Sequence, residues 1–344
     1  MKHLLDMTAE EFAAEMARLE QPKFRARQIG DWVWHRGVFD FAKMTNLPAA
    51  QRAGMAEQFS ILSGKVMARA DAADQVTKLL LAWPDGQQVE TVLIPTAHHA
   101  TACLSTQAGC AVGCSFCASG SQGLGRNLTG GEIVEQVLQL QAATGRKVTH
   151  AVFMGMGEPL ANFEATLFAV RAIIDPGRLG ISARHVTVST VGLPKAIRNL
   201  AAQKLPITLA ISLHAHNDAL RRQLIPNAPA DIESIVEAAE AFYESRHREL
   251  TLEYVLLAGV NDTNLCAEGL SRIARRLRCN VNIIRFNPAP GLPYQRPSGQ
   301  ATLRFAQRLE KAGVNVQIRK SRGAEADAAC GQLRAKMGEQ ELQS

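Results

Sequence analysis

The sequence predicts an α/β fold. Its core is a curled, barrel-like sheet of six strand–helix units, preceded by a small helical region and a short β extension. Three observations carry this. From about residue 100, strand-like and helix-like runs alternate without interruption. The strand runs are almost continuously apolar, as in parallel sheets covered by helices on both faces. The first seventy residues instead carry helix start signals and amphipathic spacing.

The helical region comes first. Thr8 and Glu11 have the spacing of a capping box. In "KFRARQIGDWVWHRG", Phe24, Ile29, Trp32 and Val33 or Trp34 recur at helical spacing. "TNLPAAQRAGMAEQF" reads as a third helix with Pro48 near its first turn. "TKLLLAW", the turn "PDGQQ" and "VETVLIP" then form a hairpin signal. The repeating units follow: "TACLST" with 129–143, "HAVFMG" with 162–174, "HVTVST" with 193–203, "ITLAISL" with 231–246, "LTLEYVLL" with 264–278 and "VNIIRFNP" with 299–312. "VNVQIRKS" ends the series. The divisions are a helical accessory region at 1–70, a β extension at 71–99, the core at 100–322 and a tail at 323–344. In open sheets and barrels alike, functional residues belong at the carboxyl ends of the strands.

Composition bounds the function. The chain has 344 residues, 47% hydrophobic and 20% charged, as in an ordinary globular enzyme with a large core. No apolar run approaches the roughly 18 residues of a membrane span, and the start has no signal-peptide pattern. A cytoplasmic protein that does not contact membrane is expected. In that compartment structural disulfides are rare. The net charge of +6 is uneven, since the segment from Arg272 to Arg322 holds twelve Lys or Arg against the single acid Glu310. A polyanionic partner, nucleic acid first, is one reading of that segment and a solvated face of Arg-rich helices the other. Aromatics are only 5%, which favours one base pocket over an extended stacking platform.

Four of the seven cysteines fall within "CLSTQAGCAVGCSFC". Cys110, Cys114 and Cys117 are spaced C-x3-C-x2-C in a loop carrying Gly109 and Gly113, just after a strand. Zinc prefers four ligands, and no nearby fourth is placed for it. A 4Fe–4S cluster held by three cysteines keeps one iron open for a substrate or cofactor. Cys103 stands apart on the strand, and Cys330 lies far away in "AACGQL".

This loop resembles the hallmark of the radical S-adenosylmethionine (SAM) superfamily. "KFRARQIGDWVWHRGVFDFAKMTNLP", "GSQGLGRNLTGGEIVEQV", "GMGEPLANF", "VTVSTVGLP", "LAISLHAHND", "RRQLIPNA", "FNPAPG" and "DAACGQL" follow in order. Together they resemble the RlmN/Cfr family of radical SAM adenosine methyltransferases over about residues 8–335.

The resemblance implies a partial (β/α)6 TIM-like barrel, one 4Fe–4S cluster on Cys110, Cys114 and Cys117, and SAM as the cofactor. It assigns SAM contacts to Gly157, Glu158, Ser189, Ser212, the backbone of Leu213, His214 and Asn287. It also implies that Cys330 carries the methyl group, Cys103 resolves the enzyme–RNA intermediate by forming a disulfide with it, and Glu90 removes the ring proton. Two SAM molecules are used. The expected product is adenosine methylated at carbon 2, in 23S rRNA and also tRNA. Carbon-8 methylation of the Cfr type is the alternative, and a different radical SAM enzyme is a more distant one. The accessory region is an RNA-binding candidate. Further expected partners are an electron donor such as flavodoxin or ferredoxin and a thiol reductant, acting on a monomer. The roles of Arg126 and Asn127 stay open, and Cys266 and Cys279 read as structural.

Overall fold

The computed structural model describes residues 1–333, apart from the side chains of Gln122 and Arg246. Residues 334–344 of the expected tail lie outside the described residues. Among the described residues no helix is long and apolar enough to cross a membrane.

A two-residue strand β1 (Lys2–His3) opens the chain. Helix α1 (Ala9–Arg18) starts at the predicted capping box, with Glu11 N–H donating to Thr8 Oγ1 at 3.1 Å and Thr8 N–H to Glu11 Oε2 at 2.7 Å. Helix α2 (Phe24–Gly30) runs on into a π-helical turn at Asp31–His35. Ile29 and Val33 face the core, while Phe24, expected on the apolar face, is 55% exposed. Helix α3 (Ala49–Gln58) begins directly after Pro48, and strand β2 (Phe59–Ser60) pairs with β1.

Strands β3 (Lys65–Asp71), β4 (Thr77–Ala82) and β5 (Gln88–Pro95) form an antiparallel meander. The hairpin of β4 and β5 matches the sequence reading; β3 does not appear in it. Its residues are mostly exposed, so it carries little of the apolar pattern that marks a strand.

The meander runs straight into the core sheet. Strand β6 (Ala100–Cys103) pairs antiparallel with β5 on one side. After it come the short hairpin β7 (Gln107–Gly109) and β8 (Leu124–Asn127), α4 (Gly130–Thr144), β9 (His150–Phe153), α5 (Phe163–Ile174) and β10 (Val186–Thr190). The chain continues through α6 (Pro194–Ala202), β11 (Thr208–Ser212), α7 (Asp218–Leu224), α8 (Ile232–Arg246) and β12 (Leu250–Leu256). It ends with α9 (Asn264–Arg276), β13 (Cys279–Arg285), α10 (Gly299–Lys311) and β14 (Asn315–Arg319). The ten-stranded sheet has the order β14-β13-β12-β11-β10-β9-β6-β5-β4-β3, with all neighbours from β6 to β14 parallel. It is the expected partial barrel, with β14 as a further parallel strand.

The edges β14 and β3 do not pair, so the barrel stays open. The chain after β14 crosses this seam. Arg322 donates to Pro95 O at 2.6 Å and to Asp74 O at 2.5 Å, and its Nε lies 3.1 Å from the Asp74 carboxylate. Lys78 Nζ donates to Asp327 O at 3.2 Å.

The N-terminal residues dock on α4. The His3 ring lies 3.2 Å from Glu135 Oε2 and 3.2 Å from Asp6 Oδ2. Glu135 has no solvent exposure and also accepts from Ser63 N and Oγ and from Gly64 N. Asp6 accepts from Gly131 N at 2.6 Å, in the first turn of α4. Burial by itself would lower the His3 pKa. The hydrogen bonds and charges of Asp6 and Glu135 outweigh it and lift the value to about 9. A group with a raised folded pKa stabilises fully below its unfolded value near 6.5, and that stability is lost as pH rises through about 9. We therefore expect His3→Ala to destabilise the protein by about 3 kcal/mol at pH 6. The difference between the two proteins in chemical denaturation should shrink steadily from about pH 6.5 to about pH 9 and level off above that; a constant difference from pH 6 to 10 would contradict the pairing.

Candidate active site

The β7–β8 hairpin closes the base of the cysteine loop. Gly109 has φ +80°, and a Cβ there would lie 1.9 Å from Gly123 O. Only glycine fits both the left-handed backbone and this approach. Above it, Cys110 N–H donates to Gly123 O at 2.7 Å, Cys117 N–H to Cys114 O at 3.1 Å and Gly120 N–H to Cys117 O at 3.1 Å. The loop is thus wound tightly upon itself, and Cys110, Cys114 and Cys117 line one cavity. Burial pushes the Cys110 thiol up to about 11 and the Cys114 thiol well above its ordinary value.

The strand ends supply the other walls. Gly157 and Glu158 follow β9, Ser189 lies on β10, Ser212 ends β11, His214 follows it, and Asn287 follows β13; all six line the same cavity. Gly157 has φ +97°, and a Cβ there would lie 2.6 Å from Gln107 Cβ. The Glu158 carboxylate is buried and accepts from Leu160 N at 2.9 Å and Val191 N at 2.7 Å; burial pushes its pKa up. Ser189 Oγ and Ser212 Oγ are 3.3 Å apart. His214 Nδ1 accepts from Val255 N–H at 3.0 Å, which puts the ring proton on Nε2. Burial drops its pKa to about 3, so the ring is neutral.

Leu213 is not among the cavity walls. Its N–H donates to Glu253 O at 3.1 Å and its carbonyl accepts from Arg221 at 2.7 Å. Its backbone is committed within the protein, and it fixes the turn that presents Ser212 and His214.

Cys330 lines this cavity and also a second one, whose walls include Cys103, Met154, Ile284, Asn287 and Arg319. The tail is held there by several bonds. Asn287 Nδ2 donates to Cys330 O at 3.1 Å, Ala118 N–H to Gly331 O at 2.8 Å, and Ser119 Oγ to Leu333 O at 2.5 Å. All seven cysteines are free thiols, so the implied Cys103–Cys330 disulfide is not formed in this structure. Burial pushes Cys103 up to about 12, and the neighbouring Cys330 adds to this; Arg319 opposes it. Cys330 is open to the cavities yet deep in the protein, and its thiol is also pushed up by burial, against Arg319.

Glu90 lies apart from the first cavity, on β5. It is 3% exposed, and its carboxylate is 2.8 Å from Lys78 Nζ.

Sequence reasoning missed Glu253 and Arg319. Glu253 is the lone acid in the apolar run "LTLEYVLL", a signal for a special role in a buried strand. It accepts from Asn282 at 2.9 Å and pairs with Arg319 at 3.5 Å. Its other oxygen, and Asn287 Oδ1, are buried without a protein partner among the described residues. Both residues wall the first cavity. Unpaired buried polar atoms there call for a polar ligand. Among the described residues no three Cys, His, Asp or Glu side chains converge as a single-ion site. Three thiols around a shared cavity beside such atoms fit an iron–sulfur cluster with a polar cofactor on it.

The other motifs find structural places. Arg126 grips Glu132 at 2.7 and 2.8 Å, and Asn127 Oδ1 accepts from Gln107 at 2.7 Å. Cys266 is buried, and its sulfur accepts from Thr263 Oγ1. Four of the twelve basic residues of the 272–322 segment form ion pairs: Arg276 with Glu233 and Glu240, Arg308 with Glu268, Arg319 with Glu253 and Arg322 with Asp74. Arg275, Arg276 and Arg278 sit where α9 leads into β13, at the amino ends of the parallel strands and opposite the cavity. This favours the solvated-face reading for them.

Comparison with known proteins gives matches along the whole chain. Residues 104–266 match the Radical SAM superfamily, and residues 2–61 match the ribosomal RNA large subunit methyltransferase N-terminal domain. A probable dual-specificity RNA methyltransferase RlmN of Rhodopirellula baltica is 45% identical over 340 residues, covering 98% of this chain and 92% of that protein. One of the same description from Gloeobacter violaceus is 44% identical over 343 residues, covering 99% and 97%. The crystal structure of a radical SAM methyltransferase from Sphaerobacter thermophilus matches with a TM-score of 0.95 at 42% identity, covering 98% of this chain and 100% of that one.

Gly157→Ala would force a Cβ onto Gln107 at a backbone angle alanine avoids. A stability loss of about 1–3 kcal/mol is expected in denaturant titration. Fluorescence or dialysis binding should also show weaker SAM binding to the cluster-loaded variant. Wild-type stability and affinity would show that the strand end yields freely.

Proposed function

This chain belongs to the RlmN family of radical SAM methyltransferases, and on that premise we propose that it methylates carbon 2 of an adenosine in 23S rRNA and in tRNA. Its cofactors are a 4Fe–4S cluster and SAM, and it acts as a SAM-dependent RNA methyltransferase. The description "dual-specificity" borne by its relatives supports more than one RNA target. Methylation of carbon 8 is the alternative.

In this reading Cys110, Cys114 and Cys117 hold the cluster. Gly157, Glu158, Ser189, Ser212, His214 and Asn287 hold SAM, with Leu213 supporting from behind. When bound, these groups supply the methyl group, one electron and the radical that activates the methyl. The remaining steps fall to the chain. An adenine ring carbon of this kind is no nucleophile, so a thiolate must receive the methyl first. Cys330 is that carrier, and after activation its S-bound carbon joins the base. Glu90 takes the ring proton, and the odd electron left on the base by the radical addition passes to the oxidised one-electron partner, which restores a closed-shell ring. The Cys103 thiolate then attacks the Cys330 sulfur: a sulfur–sulfur bond forms, the carbon–sulfur bond breaks, and its electron pair takes up a proton to complete the methyl group. A thiol reductant restores both cysteines.

The observation that carries this reading is that Cys330 walls two cavities, one with the three loop cysteines and one with Cys103. A carrier that must meet a methyl donor and then a resolving thiol needs access to both. A one-electron donor such as flavodoxin or ferredoxin, a monomeric state and a cytoplasmic setting complete the proposal. For RNA contact the accessory region is favoured over the Arg272–Arg322 face. Phe24 and Arg27 of its α2 and Lys23 just before it are exposed, and Arg36 stacks 4.4 Å over the Trp32 ring.

Nucleosides from RNA treated with the reconstituted enzyme and SAM should contain 2-methyladenosine by mass spectrometry against both standards. 8-Methyladenosine would transfer the assignment to the alternative, and neither isomer would remove both.

A further inference from the structure

The carboxylate assigned as the base is not alone on its strand. Lys78 and Glu90 lie on adjacent strands, β4 and β5. Lys78 pairs in register with Val92, and Val92 with Cys103, so Lys78 and Cys103 share one row across three strands. Glu90 is two residues from Val92 and therefore shares that face. The Lys78 ammonium lies 2.8 Å from Glu90 Oε1, with side-chain exposures of 14% and 4%. The same ammonium donates to Asp327 O at 3.2 Å, three residues before Cys330.

We propose that Lys78 is a positioning residue for proton abstraction, keeping the buried Glu90 carboxylate ionised and tying it to the segment that carries Cys330. The physical reason is desolvation. A carboxylate withdrawn from water favours its neutral form, and a neutral carboxylic acid cannot accept the ring proton. An ammonium within hydrogen-bond distance restores the charged form. Its second bond couples the base to the tail. When Cys330 holds the base through its S-linked carbon, the acceptor oxygen and the carrier are referenced to one cation. Lys78 stays protonated and takes no proton itself; the ring proton ends on Glu90. This inference rests on the reading of Glu90 as the base.

The test uses the full-length, cluster-loaded enzyme with RNA and SAM. Cys330–RNA adduct is followed on denaturing gels, 5′-deoxyadenosine by chromatography and product by mass spectrometry. Lys78→Gln should cleave SAM at the wild-type rate but accumulate adduct, with release slowed at least about tenfold and by no more than the roughly 10²–10⁴-fold that general base catalysis supplies. Lys78→Arg should recover most of that rate. Glu90→Gln is the reference and should accumulate the same adduct. If Glu90→Gln releases product normally, the base assignment itself fails. If it stalls while Lys78→Gln turns over normally, the role of Lys78 fails alone. A wild-type readout guards against a variant that does not fold. The infrared difference between wild type and Glu90→Gln should show an ionised carboxylate for Glu90, and a protonated one would overturn the proposal.

Discussion

An open barrel needs its seam crossed, and in this protein the crossing segment also brings Cys330 to the wall shared by two cavities. The sheet never pairs β14 with β3. Instead Arg322 reaches Asp74 and Pro95, Lys78 holds Asp327, and Asn287 and Ser119 hold the backbone at Cys330 and Leu333. Most of these bonds end on backbone carbonyls, so they fix the path of the chain, not merely its side chains. A cysteine on a loose tail would sample many positions. One laced at both ends is confined to the wall between the two cavities, as effective-concentration arguments require.

The electrostatics of that wall are those of restraint. Burial raises both Cys103 and Cys330, which keeps the thiols protonated and slow to react with stray oxidants or electrophiles. Arg319 opposes this from a position beside both sulfurs, and Glu253 anchors Arg319. Glu253 partly cancels the favourable charge at Cys330. The balance leaves the thiols quiet at rest, and an arriving cation such as a sulfonium would shift it toward thiolate.

Much of this was legible beforehand, and the rest had physical reasons to stay hidden. The strand ends that line the cavity were readable because parallel strands are apolar runs and place their loops at one end. The cysteine loop was readable from glycines whose positive φ and close contacts now explain them. What stayed hidden is non-local. Arg322 meets Asp74 across 248 positions, and no local pattern encodes that pairing. The same blindness left the two readings of the Arg272–Arg322 segment open, since the acids that pair with Arg276, Arg308, Arg319 and Arg322 sit on α8, α9, β12 and the β3–β4 turn. Glu253 did leave a trace, a single acid in an apolar strand. The docking of His3 on Glu135 left none, because each residue is unremarkable in its own stretch.

By the proposed mechanism, Cys330 carries the methyl carbon and Cys103 frees it. Cys103→Ala tests this most directly when cluster-loaded enzyme, SAM and RNA are run on a denaturing gel under strong thiol reductant. RNA should stay joined to protein, mapped by mass spectrometry to a methylene thioether on Cys330, and the adduct should be absent from the Cys103→Ala, Cys330→Ala double variant. Free methyladenosine released by the single variant at the wild-type rate would contradict the mechanism.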